Sequence, residues 1–287
     1  MDIKALTLTW CEFTWSDWTP FTPLITARAQ LSTSGGIYRI KPVGKNNLVY
    51  LGQTNNLRRR LANELVPNTL SEFMPFNDPH TAAQSLWTWK VESGWTFELS
   101  VMETDLPTRF REGLECYLLW QYRMEAGQST LCNHGRFHPN YMRSGDRKSG
   151  KRGERLPEGK INPASGKSIP PLTINSHWTK TDWMNLEWDE LQPLTSKQAA
   201  SEPVIPGVYK IIDGGNGQLL YIGETTKLRD RLVAHSRKSW GTRTPLYSKC
   251  RQPSNTLDFH LLELENDLLG GYFDMTQDIP KFQFTNH

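Results

Sequence analysis

Short β-prone runs and amphipathic runs follow one another in this chain, and the same order occurs twice. Residues 36–40 and 48–51 are β-prone and are separated by a stretch holding Pro42, Gly44, Asn46 and Asn47, which predicts a hairpin. Residues 208–212 and 219–222 flank Asp213-Gly214-Gly215-Asn216-Gly217, a run that tolerates positive φ, and predict a second. A helix is expected after each, with Asn55 and Thr226 as N-caps. A third strand is expected at 96–102 and at 257–264, where Leu257, Phe259 and Leu261 alternate with other residues. Leu114, Leu118 and Tyr122 then mark one stripe of a helix over 110–124, with Glu115 near its start, and Glu265 opens the equivalent helix in the second half. The fold class implied is α+β: two small antiparallel sheets of about three strands, each flanked by helices, in tandem.

The two halves also share residue types at fixed offsets. Gly36-Ile37-Tyr38 precedes Tyr50-Leu51-Gly52, and Gly207-Val208-Tyr209 precedes Tyr221-Ile222-Gly223, with 12 residues between the tyrosines in both. Arg60 and Arg231 each lie 10 residues past the second tyrosine, within Leu57-Arg58-Arg59-Arg60-Leu61 and Leu228-Arg229-Asp230-Arg231-Leu232. Glu115 precedes Asn133 by 18 residues, as Glu265 precedes Gln283. Only the middle differs, the first copy carrying 21 additional residues between its arginine and its glutamate. Trp10, Trp15 and Trp18 before Pro23-Leu24 echo Trp178, Trp183 and Trp188 before Pro193-Leu194. Burial as packing residues is the expectation for these tryptophans, against stacking on bases or docking of a partner protein.

Two phenols to orient water, a guanidinium to hold phosphate and a carboxylate to bind metal suit phosphodiester hydrolysis. These motifs, in this order, resemble the GIY-YIG nuclease superfamily over about residues 36–133 and 207–283. The resemblance implies a small antiparallel sheet flanked by helices, and one divalent ion, Mg²⁺ or Mn²⁺, per site. It assigns Tyr38 and Tyr209 to water activation, Tyr50 and Tyr221 to positioning water and phosphate, and Arg60 and Arg231 to transition-state charge. Glu115 and Glu265 match the metal ligand, and Asn133 a downstream asparagine that supports the site.

Two departures accompany the match. Many members carry a histidine four residues after the arginine; the second copy has His235, the first Glu64, which cannot act as a cationic donor. Copy one is then impaired or uses another group, and His80 inside the insertion could stand in, against its plainer reading as a solvated loop histidine. Gln283 stands where asparagine is common, which keeps the amide and lengthens its reach.

Net charge is only +3, but residues 136–167 carry nine Lys/Arg against three acids, so this Gly- and Ser-rich stretch nets +6 and the remainder −3. The layout expected is a first domain over 1–140, a basic linker over 141–177 and a second domain over 178–287. Arg147, Lys148, Lys151 and Arg152, with Arg58, Arg59 and Arg229 on the predicted helices, are the candidate contacts to DNA phosphates. Cys11, Cys116, Cys132 and Cys250 lack the close spacing of a zinc site or redox dithiol. With no leader pattern and no apolar run of membrane-spanning length, a cytoplasmic protein without membrane contact is expected.

The expectation is therefore an endonuclease acting on double-stranded DNA, as a monomer whose modules form a pseudo-dimer or as a homodimer, in restriction or defence. The alternatives are one cutting module beside one degenerate reading module, giving nicking or binding, and a repair or recombination nuclease.

Overall fold

The structure, a computed structural model, describes residues 3–22 and 31–285. The pair Pro23-Leu24 lies outside them. The chain divides into two compact units, Met1–Arg111 with Gln121–Ser168, and Glu112–Trp120 with Ile169–His287.

The first unit contains β1 (Thr19–Pro20), β2 (Gly36–Pro42), β3 (Tyr50–Thr54), a helix α1 that winds as a π-helix over Arg59–Leu65 and continues over Val66–Thr69, α2 (Thr81–Ser93) and β4 (Phe97–Glu103). Helix α3 (Thr108–Ala126) follows, its middle grouping with the second unit. The second unit contains β5 (Gln192–Pro193), α4 (Ser196–Ala200), β6 (Gly207–Asp213), β7 (Leu219–Thr225), α5 (Leu228–Ser236), β8 (Pro245–Arg251) and α6 (Asp258–Thr276). Each unit is built on one antiparallel four-stranded sheet, ordered β1-β4-β2-β3 and β5-β8-β6-β7, so the α+β class holds with one short edge strand more than expected.

The repeat is structural as well as textual. Tyr38 pairs with Gly52 across β2 and β3, and Tyr209 with Gly223 across β6 and β7. Glu115 and Glu265 each lie seven residues past the start of a 19-residue helix, rather than near its opening. The expected third strand at 257–264 is instead the first part of α6, and the strand is Pro245–Arg251. The alternation of Leu257, Phe259 and Leu261 misled because α6 is buried on most of its circumference, from Phe259 to Phe273, which erases helical periodicity. The strand itself hid behind Ser248 and Lys249, buried polar residues whose partners are distant in sequence: Lys249 Nζ pairs with Asp189 at 2.6 Å and Glu202 at 2.9 Å. Neither expected cap is used: Asn56 Oδ1 accepts from Arg59 N in place of Asn55, and α5 starts after Lys227, which makes no side-chain cap.

The insertion of the first copy is the loop after α1 together with α2, whose Ala82, Ala83 and Leu86 join the core that contains Tyr38 and Leu61. In the second unit the corresponding core around Tyr209 and Leu232 takes Ala199 from α4 and Trp240 from the turn after α5. Of the six lead-in tryptophans, Trp10, Trp15, Trp183 and Trp188 are buried as expected, and Trp18 and Trp178 are half-buried. Their rings enclose a buried cation on the strand, Arg39 lying 4.3 Å from the Trp15 centroid and Lys210 4.3 Å from that of Trp188. Backbone carbonyls complete each cage, Ala5 and Thr7 for Arg39 and Lys180 for Lys210. Burial pulls Arg39 down to about 9 and Lys210 to about 7.

The basic stretch is folded rather than strung between units. Residues 141–168 group with the first unit and 169–177 with the second. Tyr141 bridges Arg155, Met142 N donates to Glu154 O, Gly145 N to Lys151 O, and Ser144 N to the buried Gln84 Oε1 on α2. Backbone groups with such partners in place are not solvated coil.

Candidate active site

In the second unit, β6 carries Tyr209 and β7 carries Tyr221, with ring centroids 6.1 Å apart and planes 20° from parallel. The Tyr209 ring lies over Gly223; a Cβ there would meet its hydroxyl at 2.2 Å, so the cross-strand partner has to be glycine. On α5, Arg231 Nε donates to Tyr209 Oη at 3.0 Å and Nη2 to Tyr221 Oη at 3.4 Å. One turn on, His235 Nε2 is 2.8 Å from Tyr209 Oη. The i,i+4 spacing thus aims both side chains at one phenol. Glu265 on α6 lines a cleft of about 370 Å³ with Tyr221, Arg231, His235, Lys238 and Gln283.

The electrostatics follow from this crowding. Burial, then Arg231 and Lys238, pulls His235 down to about 3, so the ring is neutral at physiological pH. Burial and then Tyr221 push Tyr209 up against the opposing pull of Arg231, and the Tyr209 phenol in turn holds Arg231 above its ordinary value. Glu265, partly open to the cleft, is pushed up to about 8 by burial and then by Glu224, with Arg231 opposing. Glu224 is itself raised by burial and then Asp258. Glu224 escaped the sequence comparison because its counterpart in the first copy is Gln53; a carboxylate next to the glycine of a tyrosine-bearing strand was the only signal.

The first unit repeats the tyrosine pair with a different surround. Tyr38 and Tyr50 lie 5.9 Å apart, and a Cβ on Gly52 would meet Tyr38 Oη at 2.8 Å. Arg60, however, is turned to Glu64, at 3.0 Å, and to the carbonyl of Pro79, at 3.1 Å. The Tyr38 hydroxyl meets His80 Nε2 at 2.7 Å, so the insertion histidine is a buried neighbour of the site and not a solvated loop residue. Burial, then Arg60, pulls His80 down to about 3.

Asn133 and Gln283 act on the strand that bears the second tyrosine. Asn133 Oδ1 accepts from Leu51 N at 2.9 Å while its Nδ2 donates to Leu51 O at 2.7 Å, and Gln283 Oε1 accepts from Ile222 N at 3.1 Å. The longer side chain reaches the same register, so the glutamine is a conservative exchange. Glu115, partly exposed, lies on the stretch of α3 that groups with the second unit, apart in that division from Tyr38, Tyr50, Arg60 and Asn133.

Of the candidate phosphate contacts, Arg58 and Arg229 are exposed, yet each spends its Nε on the chain ahead of its tyrosine strand, at Leu31 O and Glu202 O. Arg59 donates to Asn55 Oδ1 on an exposed helix start. Arg147 pairs with Asp78 at 3.8 Å, Arg152 covers the Phe76 ring at 4.3 Å and donates to Met74 O, and Lys148 and Lys151 are exposed. All four lie on the first unit, and Arg147 and Arg152 contact the loop that carries His80.

Among the described residues no group of three or more His, Cys, Asp or Glu side chains is placed to hold a metal ion, and no helix is long and apolar enough to cross a membrane. No protein-family model and no curated protein sequence matches the chain.

Proposed function

We propose that this protein is a divalent-metal-dependent DNA endonuclease of the GIY-YIG type, with the second unit as its more completely formed hydrolytic site. The observation that carries the reading is the convergence of Tyr209, Tyr221, Arg231 and His235 through hydrogen bonds beside the cleft that Glu265 lines. With Arg231 Nε donating to Tyr209 Oη, the phenol O–H is directed to Nε2 of the neutral His235, so that Tyr209 would take a proton from the attacking water while passing its own to His235. Tyr221 positions the scissile phosphate, and Arg231 stabilises the charge that grows on its nonbridging oxygens. Glu265 is the carboxylate on this cleft that would hold Mg²⁺ or Mn²⁺, an ion that keeps several waters and is commonly bound through one or two carboxylates. Such an ion supplies charge neutralisation at the phosphate and the leaving oxygen. Glu115 takes the place on α3 that Glu265 has on α6, and is the second carboxylate this reading proposes.

Double-stranded DNA is the substrate this reading favours, with the basic cluster of Arg147, Lys148, Lys151 and Arg152 meeting phosphates. Two modules in one chain fit cleavage of both strands by a monomer, and restriction of foreign DNA is the role proposed. A second reading rests on one observation: the Glu64 carboxylate neutralises Arg60, which would weaken phosphate binding in the first unit and leave a nicking enzyme. The test is incubation of supercoiled plasmid with the protein in Mg²⁺ or in chelator, beside Tyr209→Phe. Metal-dependent cleavage that Tyr209→Phe reduces supports the reading; no cleavage of any DNA, modified phage DNA included, overturns it.

A further inference from the structure

The two units bring a histidine to the same atom by different routes. In the second unit it comes from α5, four residues after Arg231. In the first, that helix position is Glu64, and the contact comes from His80, 20 residues past Arg60 in the inserted segment. The distances to the phenol oxygen, 2.7 Å for His80 and 2.8 Å for His235, agree. Both imidazoles also face the second tyrosine, at centroid distances of 5.8 Å from Tyr50 and 4.9 Å from Tyr221.

We infer that His80 is a positioning residue of the first unit's site, where the insertion rebuilds around Tyr38 the histidine contact that α1 no longer supplies. The inference rests on the nuclease reading and deepens it, because it makes the first unit a working site rather than a degenerate one. Three contacts hold the ring in place. His80 Nδ1 accepts from Ala82 N at 3.2 Å, capping α2. Arg60 Nη1 grips the carbonyl of the preceding Pro79, and Glu64, on the turn where His235 has its counterpart, anchors Arg60. Because Nδ1 is an acceptor and the ring is neutral, the proton sits on Nε2, and Nε2–H donates to Tyr38 Oη. His80 therefore supplies Tyr38 with the kind of donor that Arg231 Nε supplies to Tyr209. The turn of Arg60 away from Tyr38 is then compensated, and the Arg60–Glu64 pair serves to place the loop.

The test separates capping from positioning. His80→Asn keeps a side-chain acceptor for the α2 cap but cannot reach Tyr38. In a Glu265→Gln background, which leaves the first unit to act alone, the protein should nick supercoiled plasmid in Mg²⁺. His80→Asn should cut that nicking at least 10-fold with an unchanged melting temperature. Long-range ¹⁵N spectra of the full chain should show His80 protonated on Nε2 from pH 5 to 8, with a signal that moves in Tyr38→Phe. Failure of the Glu265→Gln protein to nick while the parent cuts would overturn the inference and leave the nuclease reading intact. So would nicking indifferent to His80→Asn, or a His80 protonated on Nδ1. Absence of cleavage by the parent itself is the separate failure of the nuclease reading.

Discussion

The two units spend one arginine differently. Arg231 points both ends of its guanidinium at the tyrosine pair, whereas Arg60, on the same turn of the matched helix, is held by Glu64 and the Pro79 carbonyl. The sheet, the tyrosine register, the glycine beneath the ring and the amide that pins the second strand are alike in both. A duplicated fold therefore keeps what positions the phenols, and the groups that polarise them come from whichever element reaches the space. In the first unit that element is the insertion, whose loop carries His80 and whose helix α2 fills the core where the second unit uses Ala199 and Trp240.

The contrast can be broken at several points. The largest effect is expected from Arg231→Ala, which should lower the second unit's cleavage rate about 10²–10³-fold, as loss of a donor to developing charge does. Arg60→Ala should act less on the rate than on the His80 loop, read as faster amide hydrogen exchange around Pro79–Ala82. An equal rate loss in both would erase the distinction between the two arginines.

Next comes the floor beneath the phenols. Gly223→Ala and Gly52→Ala each force a methyl group against a tyrosine ring, and each should destabilise by about 1–3 kcal/mol in chemical denaturation, in the range of overpacked cores. Gly223→Ala should be the worse, its Cβ meeting the hydroxyl at 2.2 Å against 2.8 Å for Gly52.

A smaller effect concerns pH. Glu265 titrates at about 8 in the metal-free fold against an ordinary 4.5, so the folded chain binds the extra proton between those values. The stability from this group is complete below pH 4.5 and is lost as pH rises through about 8. Melting temperature without metal should therefore decline over that window, Mg²⁺ should offset the decline by displacing the proton, and Glu265→Gln should flatten it. The histidines act oppositely: His235 and His80 are held near 3 against an ordinary 6.5, so their contribution is present above pH 6.5 and is lost as pH falls towards 3. A Glu265→Gln protein with the parent's alkaline slope would contradict the assignment.

The smallest effect is expected at the lead-ins. Lys210→Met replaces a caged cation by an apolar chain of similar length and should change stability little or improve it, since a buried charge gains little over a well-packed apolar residue.

Much of this arrangement is legible in the sequence because it depends on local spacing. Tyrosines 12 apart across a hairpin and an arginine 10 residues on fix β2, β3 and α1, and the same offsets fix β6, β7 and α5. The strand Pro245–Arg251 was not legible, because its polar residues are satisfied by Asp189 and Glu202 from elsewhere in the chain. Glu224 was missed since its partner in the repeat is Gln53, and a carboxylate's neighbours across a cleft leave no trace in spacing. His80 was visible only as a possibility: nothing local states that a histidine 20 residues from Arg60 returns to Tyr38.

Most direct of all is a time course of supercoiled plasmid in Mg²⁺ with the parent, Glu265→Gln, Glu115→Gln and the double variant. Linear product from the parent, nicked circles from each single variant and none from the double are expected of two unequal but working sites. A double variant that cleaves like the parent would contradict both assignments.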